Sequence, residues 1–121
     1  MSLIENPTRT DLVAFEGVYD FLSALAHHGQ DKPQSNVLVL NSTAMVERAV
    51  DYIQSRPHIE RVSTYFDHDS AGALARERIV TLAASRAKPF VHHDRARLYK
   101  GYKDFNAMWQ DSAPTSPKYP L

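Results

Sequence analysis

Three acidic residues, Glu16, Asp67 and Asp69, stand where a chain of this pattern would meet a ligand. Glu16-Gly17 follows the apolar run Leu12-Val13-Ala14-Phe15, and Asp67-His68-Asp69-Ser70 follows the β-branched and aromatic run from Val62 to Phe66. Both runs read as strands buried on two faces. Open parallel sheets bind ligands beyond the carboxyl ends of their strands. Side chains two residues apart on extended backbone point the same way, so Asp67 and Asp69 converge while His68 turns aside. If the two strands lie close in the sheet, Glu16 joins them. Carboxylates crowded in this way repel one another unless a cation is present. An all-oxygen set suits Mg²⁺, which usually binds through one or two carboxylates plus water and substrate phosphate. The plainer reading is that Asp69 or Ser70 caps the helix that follows. Two acidic motifs at the ends of two buried strands favour the cation.

The elements that must position these acids alternate along the chain. After Glu16-Gly17, the spacing of Val18, Phe21, Leu22 and Leu25 predicts a helix with one apolar face, ended by His27-His28-Gly29 with Gly29 as its C′ residue. Val37-Leu38-Val39-Leu40 is a second buried strand, and Asn41-Ser42-Thr43 offers capping side chains to a helix whose face is Met45, Val46, Ala49, Val50 and Ile53. Arg56-Pro57 stops that helix. A helix with Ala71, Leu74, Ala75, Ile79 and Leu82 on one face follows Asp69, Lys88-Pro89 breaks it, and Phe90-Val91 reads as a short fourth strand. His92 to Gly101 is polar and basic, and Asp104 to Gln110 is a last short helix with Phe105, Met108 and Trp109 turned inward. Alternation without a hairpin signal calls for a mainly parallel four-stranded sheet covered by helices on both faces, a three-layer α/β/α, Rossmann-like architecture. Residues 1–10 read as a lead-in, 11–111 as the domain and 112–121 as a frayed tail.

Composition narrows the chemistry. With 121 residues the chain suits one domain. It has no cysteine, which excludes disulfides, thiolate zinc sites and a cysteine nucleophile. No apolar run approaches the roughly 20 residues that span a bilayer, and Met1 to Thr10 has no apolar signal core. The expectation is a cytoplasmic protein without a membrane partner. Lys plus Arg and Asp plus Glu are each 14, a balance that argues against strong autonomous DNA affinity.

The ordered motifs resemble the Toprim family. Val13-Ala14-Phe15-Glu16-Gly17-Val18-Tyr19-Asp20-Phe21-Leu22-Ser23 is similar to its first motif, and Tyr65-Phe66-Asp67-His68-Asp69-Ser70-Ala71-Gly72 to its second, Asp-x-Asp-x-Ala-Gly. Val39-Leu40-Asn41-Ser42 matches the intervening strand and polar turn, and Lys103-Asp104-Phe105-Asn106 resembles the Lys-Asp-x-Asn element of primase-type members. The resemblance spans roughly residues 11–111 and is nearest to primase-like proteins of plasmids and conjugative elements. It implies Asp67 and Asp69 as ligands of Mg²⁺, with Mn²⁺ as a substitute, and Glu16 as a further ligand or general acid/base. It implies that Gly72 lets backbone approach a phosphate, with Lys100 and Lys103 as phosphate-binding residues, and it makes Asp20, Asn41 and Asp104 secondary candidates. The function implied is nucleotidyl transfer in primer synthesis. The partners would be a DNA template and nucleoside triphosphates in a full-length protein, alongside other replication or mobilisation proteins. A primase typically adds a zinc-binding region and another catalytic subdomain, so this chain is expected to be one domain of a larger protein, inactive alone.

Other readings compete. Arg95, Arg97, Lys100 and Lys103, interleaved with Tyr99 and Tyr102, could contact phosphates or bases, and a solvated loop explains them as well. The adjacent pairs His27-His28 and His92-His93 diverge on regular elements and read as surface or helix-dipole residues. A Toprim nuclease or topoisomerase-type enzyme shares the metal chemistry. A phospho-acceptor receiver domain would need an acidic pair after its first strand and a fifth strand. A non-catalytic interaction module would bind no Mg²⁺.

Overall fold

The computed structural model describes residues 1–112. The elements run β1 (Ser2–Ile4), β2 (Asp11–Phe15), α1 (Val18–His27), β3 (Asn36–Val39), α2 (Val46–Gln54), β4 (Arg61–Tyr65), α3 (Ser70–Ser85), β5 (Val91–Asp94) and α4 (Phe105–Ser112). Short 3₁₀ turns, Thr43–Met45 and Arg95–Tyr99, lead into α2 and follow β5. Strand order is β1-β3-β2-β4-β5. β2 is parallel to both β3 and β4, β5 is parallel to β4, and β1 alone runs antiparallel, along β3.

The alternation of side chains across the strands divides the core in two. Leu12 and Ala14 of β2 point to the face covered by α2 and α3, where they pack with Leu38, Val62, Phe66, Ala49, Ile53, Ala75 and Ile79. Phe15, Val39 and Tyr65 point to the other face and meet Ala24 of α1, Tyr99 and Phe105 of α4. Both faces of β3 are covered, so Asn36 to Val39 is buried throughout. Each fully buried Leu, Ile or Phe in these layers stabilises the fold by roughly 1.5–3 kcal/mol.

Local signals terminate the helices as their chemistry dictates. Gly29 adopts φ 64° just after α1, which lets Gln30 N–H donate back to the Leu25 carbonyl at 2.9 Å and Gly29 N–H to Ala26 at 3.1 Å. The end of α2 is satisfied from a distance. Arg86, 6% exposed, donates to the carbonyls of Ile53 (3.1 Å) and Arg56 (3.2 Å), and also to those of Ile59 and Lys88. Its guanidinium lies over the Phe90 ring. A planar fork with five donors suits this many carbonyls at once.

Two sequence expectations are corrected. The sheet has five strands rather than four, because Ser2–Ile4, read as lead-in, pairs with Val37 to Val39. All three β1 residues are exposed, so no burial pattern marks them in the sequence. The rest of the lead-in is tied down as well: Asn6 N–H donates to Asn36 at 2.7 Å, and Glu5 accepts from Tyr52 and Arg56. The last strand is Val91–Asp94 rather than Phe90-Val91. As an edge strand it is half-exposed and tolerates His-His-Asp where a buried strand would not. The expectation for 112–121 falls, from 113 onward, outside the described residues.

Candidate metal centre

β2 and β4 are adjacent and in register, with Phe15 opposite Tyr65, so the residues that follow them emerge side by side. Glu16 N–H donates to the Tyr65 carbonyl at 3.3 Å, and Asp67 N–H donates to Glu16 Oε1 at 3.0 Å. One carboxylate oxygen from each of Glu16, Asp67 and Asp69 lies within 4.8 Å of the others. A second set, Asp20, Asp67 and Asp104, meets the same limit, so Asp67 is common to both. An open cleft of about 260 Å³ is lined by Glu16, Tyr19, Asp20, Asn41, Asp67 and Asp104, with Asn106 at its edge.

Each acid is placed by a local device. Asp69 is extended and its Oδ1 accepts from Gly72 N–H at 2.7 Å, so it caps α3 while contributing to the cluster. The capping reading of Asp69 holds, and the cap leaves its carboxylate within reach of Glu16 and Asp67. Asp20 sits in the first turn of α1, buried, and accepts from Asn106 N–H at 3.0 Å. Asp104 accepts from Ala107 N–H at 2.8 Å and so caps α4. His68 turns away from the acids, as expected: it stacks on Tyr99, its N–H donates to the Lys103 carbonyl, and its Nδ1 lies 2.8 Å from the Tyr102 carbonyl. These bonds fasten the segment carrying Lys103 and Asp104 beside β4. Lys103 Nζ lies 4.0 Å from Asp67 Oδ2, a long pair between an exposed lysine and a buried carboxylate.

Crowding and burial shift the protonation equilibria. Burial, reinforced by the Asp67 and Asp69 charges, pushes the Glu16 carboxyl up to about 7, although the Asp67 N–H opposes it. Burial, with Asp104 and Asp67 nearby, pushes Asp20 up to about 6. Asp67 is raised too, by burial first and then by Asp104 and Asp69. Glu16, Asp20 and Asp67, with raised carboxyls, sit with the exposed Asp69 and half-buried Asp104 in an all-oxygen donor set suited to a hard divalent ion.

Gly72 has a structural reason of its own. A Cβ there would meet the Asp67 carbonyl oxygen at 2.2 Å, so the first turn of α3 can sit against the Asp67 backbone only without a side chain. Asn41 holds the left-handed conformation, φ 65°, which asparagine tolerates better than most residues, and its N–H donates to the Glu16 carbonyl at 2.9 Å. Arg95, Arg97 and Lys100 are exposed, as a phosphate-contacting stretch would require. The aromatic interleaving does not hold. Tyr99 is 1% exposed and donates to the Phe66 carbonyl at 2.6 Å, and the Tyr102 hydroxyl is engaged by Asp111. Asn106 is the residue that sequence reasoning passed over. Besides holding Asp20, its Oδ1 accepts from the Ser23 hydroxyl at 2.8 Å, which ties α4 to α1. Its signal was the Lys-Asp-x-Asn string itself.

Parallel strands that deliver carboxylates to one end of an open, helix-covered sheet define the class of α/β domains with an acidic centre. Within that class the chain belongs to the Toprim-like family, whose model matches residues 13–109. Its fold is similar to that of the crystal structure of the primase fragment of the bacteriophage T7 primase-helicase protein. The TM-score is 0.62 at 17% identity, over 88% of this chain and 40% of that one. The chain thus spans less than half the length of that fragment. No curated protein matches the sequence. Among the described residues no helix is long and apolar enough to cross a membrane.

Proposed function

We propose that this chain is the Mg²⁺-dependent catalytic module of a primase-like protein, acting in the cytoplasm on a DNA template and nucleoside triphosphates. Glu16, Asp67 and Asp69 hold the ion, and Mn²⁺ can replace it. The observation that carries the reading is the meeting of these three carboxylates beyond two adjacent parallel strands. The ion, when bound, neutralises charge on phosphate oxygens and aligns the attacking hydroxyl oxygen with the phosphorus. The chain's own residues do the rest. Glu16, beside Asp67 at the ends of the paired strands, is a further ligand or the group that takes the proton from an attacking hydroxyl. Lys103, near Asp67, contributes positive charge beside the acids, with the exposed Lys100 a further phosphate contact, and the turn at Gly72 keeps the start of α3 close to the phosphate position. Asp20 and Asp104 extend the acidic set, with Asn41 at the cleft wall.

Titration with Mg²⁺ or Mn²⁺ by calorimetry tests the reading. The wild-type chain binds, and Asp67→Asn and Asp69→Asn each weaken binding at least tenfold without unfolding the domain. Normal binding by both variants would remove these residues from the metal site. Cleavage of an oligonucleotide with metal and no triphosphate would assign the site to a nuclease instead.

A further inference from the structure

The acidic cleft has one wall that its carboxylates do not explain. Tyr19, in the first turn of α1, lines the cleft beside Glu16, Asp20 and Asn41. It is 70% exposed, the largest exposure among the exposed large hydrophobic side chains. No described aromatic ring or cation stacks on it. The other lining residues, Gly17, Ser42 and Asn106 included, are polar or lack a side chain, so Tyr19 supplies the only aromatic face in the cleft among the described residues. A single exposed tyrosine on a helix is ordinary. A free aromatic face at the rim of a carboxylate cluster is a different situation. A ligand whose phosphates are drawn to a cation at those carboxylates carries its base a few ångströms away, and the acids offer that base nothing to pack on. A π-face accepts any base, because stacking is tolerant of sequence.

We propose that Tyr19 is a nucleobase platform, its ring stacking on the base of a nucleotide whose phosphates engage the ion at Glu16, Asp67 and Asp69. This rests on the metal reading above. The base could belong to a mononucleotide or to a nucleic-acid strand, since both present the same chemistry.

The experiment uses this chain saturated with Mn²⁺ and compares three ligands by calorimetry: ATP, inorganic tripolyphosphate, which has no base, and a short single-stranded oligonucleotide. Tyr19→Ala should weaken ATP, the oligonucleotide or both about fivefold or more, while tripolyphosphate and Mn²⁺ itself bind as before. Tyr19→Phe should restore affinity, because the ring and not the hydroxyl is at work. Dependence seen with ATP assigns the base to a mononucleotide, and dependence seen with the oligonucleotide alone assigns it to a strand. Equal affinity of Tyr19→Ala for both base-bearing ligands, or an equal loss for tripolyphosphate, overturns the platform. So does a Mn²⁺-loaded wild-type chain that binds neither. A wild-type chain that fails to bind Mn²⁺ overturns the metal reading, and the platform with it.

Discussion

At the scale of single residues, the centre stores unfavourable protonation chemistry that a cation would relieve. A carboxyl whose folded pKa is raised stabilises the fold fully below its unfolded value and loses that contribution as pH rises through its folded value. For Glu16 the window runs from 4.5 to about 7, and for Asp20 from 3.8 to about 6. The metal-free domain should therefore melt at progressively lower temperature as pH rises from about 4 to about 7. Glu16→Gln should remove the part of that fall above about pH 6, leaving the part due to Asp20. A melting temperature that rises across this range would contradict the arrangement. Saturating Mg²⁺ should flatten the profile, because bound metal keeps the carboxylates ionised. The two functions of Asp69 also separate here. Asparagine caps a helix about as well as aspartate, so Asp69→Asn should keep metal-free stability while losing affinity for the ion. Glu16, Asp67 and Asp69 were legible because short apolar runs announce buried strands and place the next residue at a strand end. Asn106 was marked only by the Lys-Asp-x-Asn string, and its bonds to Asp20 and Ser23 were not legible because they depend on α4 lying beside α1.

At the scale of elements, the junction of β4 and α3 decides the geometry of the centre. Alanine exceeds glycine in helix propensity by about 1 kcal/mol, so Gly72→Ala would stabilise an isolated α3. Here the added methyl meets backbone rather than a side chain that can move aside. The variant should lose roughly 1–3 kcal/mol of stability, as overpacked sites do, and should bind Mg²⁺ more weakly because Asp67 must shift. Equal stability and affinity in a denaturant melt and a titration would refute this account. The elements themselves were mostly readable. β2, β3 and β4 are apolar runs, and the face of α2 shows its period, whereas α1 buries Asp20, Ser23 and Ala24 and leaves Val18 and Leu22 of its expected apolar face exposed, as α3 leaves Leu74. The failures share a physical cause. β1 and β5 are edge strands held by backbone pairing rather than burial, so apolar patterning does not reveal them. Tyr99 stands among exposed cations in the sequence, yet the turn Arg95–Tyr99 rotates its ring inward beneath His68.

At the scale of the whole molecule, the question is what one such domain can do alone. Polymerisation needs a template, an incoming triphosphate and a growing 3′ end held in line, and positioning supplies much of the rate. The exposed cations near the centre are few, and the chain carries zero formal net charge. Contacts with few phosphates give weak, salt-sensitive binding. On a single-stranded template with Mg²⁺ or Mn²⁺, the 121-residue chain should therefore make no primers. Robust synthesis abolished by Glu16→Gln would show the domain to be self-sufficient.

The antiparallel strand β1 has a consequence for solubility. It occupies the outer edge of β3, whose four residues are all buried. A bare edge of that composition is a template for pairing with another chain. The first residues thus act as a guard strand, and the opposite edge guards itself with the charged and polar side chains of β5. Deleting residues 1–4 should leave the acidic centre intact, because none of its carboxylates lies there. It should nevertheless make the protein self-associate more strongly with rising concentration than the full chain does. Light scattering of both chains across a concentration series would show it, and identical behaviour would mean that β3 needs no guard.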